Sequence, residues 1–457
     1  MTKTIPASLL RQMMRTFHPL RSSLALMVAT TMLAAVPGYS ETLSVASNLE
    51  KLTLSAMANS PAIHQAEAGL QKAKANLDQY RSGYYPTAGL SAVYSRQAPN
   101  SEISFPSFGS FKFFPDNNVD CHVDISQQIY DFGKSHAQVS GGKWEVKAAE
   151  YSLDMARQQV RFQTLQLFYG VLLYQQEIKL QADEIQALTQ YCDMTRNKVT
   201  TGVATNFDVM TIQVQLSEVQ TAHQDQENEL RKLRIDLAKT VGVDNYDNIP
   251  VVGNLAPTTA KADEKAMVAY GLEHSRELAI ADAMVQQCRE RLKSEKCKYF
   301  PVISASVDAG VKTGYFPDMN KYTPNAGGAL TADVPLFSFA QFATVRAAEA
   351  DLRSAEESSR ETRGKIIADI RRAVSDLNTS CDKIDAAKLH VALAEKTVEQ
   401  ANVRYAGGMI TGLDLLSVRA DLSKANVGYV RSLYDCLVSD AVLKRAAGMS
   451  QDEEYVK

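Results

Sequence analysis

Cysteine and histidine are the side chains here best equipped for chemistry, and their spacing decides which chemistry is excluded. The six cysteines stand at 121, 192, 288, 297, 381 and 436 with no C-x-x-C pair, so neither a zinc site nor a dithiol redox centre has the spacing it needs. An oxidising compartment permits disulfides among them, but no connectivity follows from the spacing. Cys192 falls on an apolar helical seam, where a small packed hydrophobe is the simpler role. The seven histidines are scattered, and Cys121-His122 with His136 offers a metal no more than an adventitious contact. No H-E-x-x-H, phosphate-cradling glycine loop or nucleophile elbow occurs, and Ser, His and Asp form no usable group. The chain is expected not to be an enzyme and to carry no cofactor and no metal. A formal net charge of -3 over 457 residues gives no basic footprint for nucleic acid.

Two short turns carry the clearest local signal. They are Thr201-Gly202-Val203-Ala204-Thr205-Asn206-Phe207-Asp208 and Gly407-Gly408-Met409-Ile410-Thr411-Gly412-Leu413-Asp414. Gly202 or Gly408 permits the positive φ that ends a helix, and Thr205 or Thr411 can cap the next one. Asp208 or Asp414 then sits at the third helical position, where the N-terminal dipole favours a negative charge. At minimum, each turn closes a well-capped helical hairpin.

The elements that present these turns are duplicated. A shift of 206 residues places Gly202 on Gly408, Thr205 on Thr411, Asp208 on Asp414 and Gly242 on Gly448. Residues 41–242 and 258–448 therefore read as two repeats, joined by a linker at 243–257 and followed by a tail at 449–457. In the second repeat Ile366, Ile370, Ala373, Leu377, Ser380, Ile384, Ala387, Val391, Ala394, Val398, Ala401 and Tyr405 recur at spacings of four and three, as in a coiled-coil seam. The positions 206 residues earlier run from Val160 to Val199, and nine of those twelve are apolar. Long helices are expected over about 134–198 and 340–403, each roughly 95 Å long at 1.5 Å per residue. Gly141-Gly142 should loosen the first of them. Shorter amphipathic segments, about 44–83, 206–240, 260–298 and 412–446, are long enough to stack end to end beside them.

Four stretches alternate with a period of two, near 86–96, 119–130, 301–312 and 326–336. Ala88, Leu90, Ala92 and Tyr94 face one way and Thr87, Gly89 and Ser91 the other; Val119, Cys121, Val123 and Ile125 oppose Asp120, His122 and Asp124. Each run has about the length of a tilted transmembrane strand with one lipid face and one wet face. Tyr84, Tyr85, Tyr299 and Phe300 flank them as candidate interface aromatics. Four strands are too few to close a barrel. Several copies must combine, and three supply twelve strands and a lumen. The loop between the first two strands holds Phe105, Phe108, Phe111, Phe113 and Phe114, and in a barrel it faces the cell exterior.

The N-terminus reads as an export signal over 1–40. Lys3, Arg11, Arg15 and Arg21 precede an apolar run of about 13 residues at 24–36, short of the roughly 20 that span a bilayer, and Gly38-Tyr39-Ser40 offers small residues for cleavage. No Cys stands there to be acylated.

With the duplicated strand-strand-long helix plan, the Tyr85-Pro86 and Phe300-Pro301 leads into strands, the Ile129-Tyr130-Asp131-Phe132-Gly133 lead into a long helix and the paired turns, nearly the whole chain resembles the TolC family of outer-membrane channels. The resemblance implies a mainly α fold with β: one third of a trimeric, 12-stranded outer-membrane β-barrel, continued by a periplasmic α-helical, coiled-coil barrel. It implies a passive exit duct for efflux or type I secretion, with the outer-membrane lipid around it. A periplasmic membrane-fusion adaptor would meet the tips at Gly202, Val203, Ala204, Thr205, Gly408, Met409, Ile410 and Thr411, and an inner-membrane ABC or proton-driven pump would supply the energy. Asp414 matches an acidic ring position of the family's periplasmic gate and Tyr405 its neck tyrosine, with Asp208 beside them. Ser417 stands where a second Asp is common, and Ile410 where some members carry Arg. The rival reading is a periplasmic coiled-coil adaptor or scaffold, which leaves the strands and the duplication unexplained.

Overall fold

The computed structural model describes residues 49–99, 102–105, 109–112, 115–202, 204–244, 261–314, 318, 321–449 and 455, with 249, 251, 253 and 255; for 102–105 and 109–112 only the backbone is described. The export signal at 1–40, Val203, much of the phenylalanine loop and parts of the linker and tail lie outside these residues.

Each repeat opens with two helices where one segment was expected. In the first, α1 (Leu49–Asn59) and α2 (Pro61–Ser82) part at Ser60, because Pro61 cannot donate the hydrogen bond that would continue a helix. In the second, α5 (Glu264–His274) and α6 (Arg276–Cys297) part at Ser275, whose hydroxyl accepts the Leu278 N–H at 3.4 Å. The long helices are α3 (Lys134–Thr200) and α7 (Phe339–Ala406), of 67 and 68 residues and about 100 Å long. They are followed by α4 (Asn206–Val241) and α8 (Gly412–Ala447), each of 36 residues.

α3 runs unbroken through Gly141 and Gly142, and both are buried within it. A Cβ on Gly142 would lie 2.7 Å from Tyr80 Cδ2, and one on Gly141 would lie 3.7 Å from Glu290 Cβ. They admit close neighbours on two sides, and packing outweighs their low helix propensity.

Around these helices the order is simple. α2 and α4 lie along one flank of α3, and α6 and α8 along the other; α7 lies against α5, α6 and α8. Linker residues Ile249, Val251 and Leu255 are buried, and Gly253 sits against Phe168 and Leu172 of α3. Two ties cross the columns. Arg431 of α8 donates from Nε to the buried Glu177 of α3 at 2.6 Å, and a disulfide joins Cys381 of α7 to Cys436 of α8.

At one end of the helices, β1 (Thr87–Arg96), β4 (Asn117–Tyr130), β5 (Val302–Thr313) and β6 (Tyr322–Asp333) form an antiparallel sheet in that order. Between β1 and β4 the phenylalanine loop contains a short hairpin, β2 (Glu102–Phe105) with β3 (Gly109–Lys112), that the sequence pattern did not announce. Directly paired residues share a face. One row therefore reads Leu90, Val123, Ala309, Ala326 and the next Ala92, Cys121, Val311, Pro324. The opposite face carries Gly89, Asp124, Asp308, Gly327 and Ser91, His122, Gly310, Asn325. The apolar face is exposed on the chain, with Leu90, Tyr94, Val123, Ile125, Val307, Val311 and Leu330 open. At the helical end an exposed aromatic fringe gathers Tyr84, Tyr85, Tyr130, Phe132, Phe300, Phe337 and Phe339, with Phe132 stacked on Phe300 at 5.6 Å. Asp131 fixes this junction by accepting from Ser135 N at 2.7 Å and Gly133 N at 3.1 Å. Burial pushes its carboxyl up, but the bonds from Ser135, Gly133 and Gln128 outweigh this and hold it below the usual 3.8. No helix among the described residues is long and apolar enough to cross a membrane.

Candidate gate and docking tips

The two turns lie at the end of the helices remote from the sheet in sequence, and each is built the same way. Gly202 and Gly408 have φ of 73° and 72°, the left-handed conformation that ends α3 and α7 at little steric cost. Met409 N then donates to Arg404 O at 2.9 Å, and Ala204 N to Lys198 O at 3.3 Å, satisfying carbonyls left over at the helix ends. Thr205 caps α4 by accepting the Asp208 N–H at 3.3 Å, and Asp208 Oδ2 accepts the Thr205 N–H at 2.8 Å. Thr411 and Asp414 repeat this reciprocal box on α8 at 3.2 and 2.9 Å. The hydroxyl of Thr411 also donates to Asp414 at 2.7 Å, and these bonds hold the Asp414 carboxyl below its ordinary 3.8. Asp414 thus presents a firmly ionised, exposed charge at the start of α8.

Just inside the turns, the four helices α3, α4, α7 and α8 share one apolar cluster of Leu188, Tyr191, Cys192, Ile212, Val219, Ala401, Leu415 and Leu416. Tyr405 and Ile410 pack against it. Cys192 is buried there as a free thiol, in the packing role expected of it. Ser417 is exposed on α8, one turn beyond Asp414. Met409 is exposed at the turn, and Phe207 and Leu413, equivalent at the 206 shift, are exposed just after it. Ile410, half-buried, turns its side chain to the interior on the second-repeat side. Val203 lies outside the described residues.

Tyr191 is the residue the sequence reading passed over. It is buried, meets the Tyr405 ring edge-on at 5.7 Å and donates its hydroxyl to Gly412 O at 3.4 Å. Burial, and then its bond with Tyr405, push the Tyr191 phenol above 10, so it stays a donor. Lys198 Nζ lies 4.1 Å from the Tyr405 ring centre, and the Arg419 guanidinium 5.5 Å from that of Tyr191. These rings and cations tie α3 to α7 and α8 beside both turns. The available signal was small: Tyr191 stands next to seam residue Cys192, and Gly412 replaces the Asn206 of the first turn. A Cβ on Gly412 would come within 2.8 Å of the Tyr191 hydroxyl, which explains the glycine. No group of three or more His, Cys, Asp or Glu able to hold a metal occurs among the described residues.

Comparison with known proteins accords with this architecture. The chain is 21% identical over 441 residues to the outer membrane protein TolC of Escherichia coli (strain K12), covering 92% of this chain and 86% of the relative. It is 22% identical over 366 residues to the alkaline protease secretion protein AprF of Pseudomonas aeruginosa, covering 76% and 73%. The crystal structure of the outer membrane protein VceC from Vibrio cholerae superposes with a TM-score of 0.75 at 19% identity, covering 88% of this chain and 97% of that one. The family model described as outer membrane efflux protein matches residues 52–243 and 271–449, one stretch in each repeat. The chain belongs to the outer membrane efflux protein family, and its place is the outer membrane.

Proposed function

We propose that three copies of this chain form the passive exit duct of an efflux or type I secretion system. The observation that carries this reading is the sheet. One face is a continuous exposed apolar surface suited to lipid, while the other sets Asp124 directly across from Asp308, an arrangement that needs water. The edge strands β1 and β6, of 10 and 12 residues, run in opposite directions, so β6 of one copy can pair antiparallel with β1 of the next. Twelve strands then close a barrel with a lumen. Exposed Phe207, Met409 and Leu413 around the two capped turns suit them to contact a periplasmic membrane-fusion adaptor, and through it an inner-membrane ABC or proton-driven pump. In this reading Asp414 and Tyr405 belong to a gate, with Asp208 and Ser417 beside them. Energy comes from the pump, because the chain has no phosphate-cradling loop. The test is light scattering and planar-bilayer conductance of the detergent-purified protein. Three copies per particle and discrete channel currents are expected; a stable single copy without currents would overturn the duct. Asp414→Ala should raise leak conductance or weaken cation preference, and unchanged single-channel currents would remove Asp414 from the gate.

A further inference from the structure

The duplication lets an interface inside one chain describe an interface between two. From α3 and α4 to α7 and α8 the shift is a constant 206: Thr200 and Ala406 end the long helices, and Asn206–Val241 maps onto Gly412–Ala447. Within the chain, α3 is covered on one flank by its own repeat's α4 and on the other by α8. The corresponding second flank of α7 should receive α4 of another copy. Single-chain exposure agrees. Met210 of α4 is 62% exposed, whereas Leu416, its equivalent on α8, is 7% exposed. On α7, Leu389 and Leu393 are 61% and 54% exposed.

At the centre of the α3–α8 contact is the ion pair of Glu177 with Arg431, whose side chains are 0% and 57% exposed. The shift carries Glu177 to Lys383 on α7 and Arg431 to Asp225 on α4. Both are exposed on the single chain, and their charges are opposite to each other and reversed relative to the internal pair. One helical stretch further on, Glu184 and Ser423, which are hydrogen-bonded to each other, map to His390 and Ser217, again able to form a hydrogen bond.

We infer that Lys383 of one copy pairs with Asp225 of the next, and that the reversed polarity sets the order of helices around the assembly. The reversal disfavours the wrong neighbours: α7 docked on the α8 of another copy would set Lys383 against Arg431, and α3 docked on its α4 would set Glu177 against Asp225. Like charges so placed act as a device against misassembly. The inference rests on the three-copy reading above and adds to it a contact that distinguishes one assembly order from the alternatives.

A zero-length carbodiimide applied to the detergent-solubilised full chain tests it directly, because the reagent joins an amine to a carboxylate in contact. A mixture of isotopically heavy and light copies, assembled together, should yield a Lys383–Asp225 cross-linked peptide containing heavy–light hybrids. The peptide should disappear in Lys383→Gln and Asp225→Asn. Asp225→Lys and Lys383→Asp should each lower the temperature at which the assembly dissociates, and the double swap should restore most of the loss. Absence of the hybrid peptide from particles that still contain three copies would overturn the pairing and leave the duct intact. A cross-link confined to single chains would overturn it as well. A single-copy mass for the unaltered protein would bring down both.

Discussion

The two long helices share a length and a seam, yet α3 buries twenty-one residues within the chain and α7 ten. The difference is topological. α3 lies between two flanking columns, whereas α7 meets only one, so the same apolar pattern is filled on one helix and half open on the other. Side-chain choice follows the environment. Where α3 is squeezed near its start it carries Gly141 and Gly142; at the same places α7 carries Ala347 and Ala348. Where α7 has one neighbour, a disulfide fixes it to that neighbour, and at the matching places of the first repeat stand Gln175 and Leu230. A repeated sequence thus meets two environments, and each copy has diverged to suit its own.

Removing the covalent tie should have the largest effect. Cys381 and Cys436 close a loop with a sequence separation of 55, and opening one of that size costs about 4 kcal/mol in the chain-entropy account. The double Cys381→Ser, Cys436→Ser variant should show a markedly lower denaturation midpoint than the oxidised protein. Reductant should lower the midpoint of the parent and leave that of the variant unmoved. Equal midpoints for oxidised and reduced parent would mean that packing alone holds α7 to α8.

The corresponding tie of α3 is electrostatic. Arg431→Leu leaves the Glu177 carboxylate buried and unpaired, and a cost of about 3 kcal/mol is expected, at the low end for a broken buried pair because Arg431 is half exposed. Glu177→Gln should cost less, since the amide is neutral and can still hydrogen-bond. Urea midpoints that place the two variants in the reverse order would show that Glu177 reaches water by another route.

Much of this architecture was legible because it rests on periodicity. The seam at spacings of four and three, the alternation on the strands and the two Thr-x-x-Asp caps are local patterns, and their repetition at a fixed shift reveals the duplicated plan. What escaped notice depends on contacts between distant segments. The seam cannot say which long helix is covered twice, since both repeats carry it. Tyr191 lies one residue from a named seam position, and its meaning comes from Tyr405 and Gly412, more than 200 residues away. Six cysteines leave many pairings open, and only packing brings 381 to 436. Gly141-Gly142 has its meaning from the same source: helix propensity describes a helix in solvent, whereas here Tyr80 and Glu290 pack against the pair from two columns.

That pair of glycines sharpens the comparison at lower energy. Gly142→Ala would drive a methyl to within 2.7 Å of the Tyr80 ring and 3.1 Å of Leu77, so a loss of about 1–3 kcal/mol is expected from overpacking. Gly141→Ala meets nothing closer than ordinary contact at 3.7 Å, and should gain roughly 0.5–1 kcal/mol from helix propensity. Opposite shifts in thermal midpoint for adjacent residues would establish that each glycine answers to a different column. A gain for both would show that α2 can yield at Tyr80.

The smallest expected effect concerns the tips, where the two repeats are most alike. Asp414 is held by Thr411 through both hydroxyl and backbone, and its carboxyl is lowered from 3.8 in the folded chain. A carboxyl depressed on folding binds fewer protons folded than unfolded, so stability rises with pH through the window between the two values. Its contribution is complete above the ordinary 3.8 and drains away as pH falls through the lower folded value. Asp414→Asn keeps the shape but weakens the cap and removes the titration. Midpoints of parent and variant, measured from neutral pH downwards, should differ by a constant amount until near pH 3.8 and converge below it. A difference that persists unchanged to the lowest pH would mean that ionisation of Asp414 is not what stabilises the cap, and that its charge is free for other work at the turn.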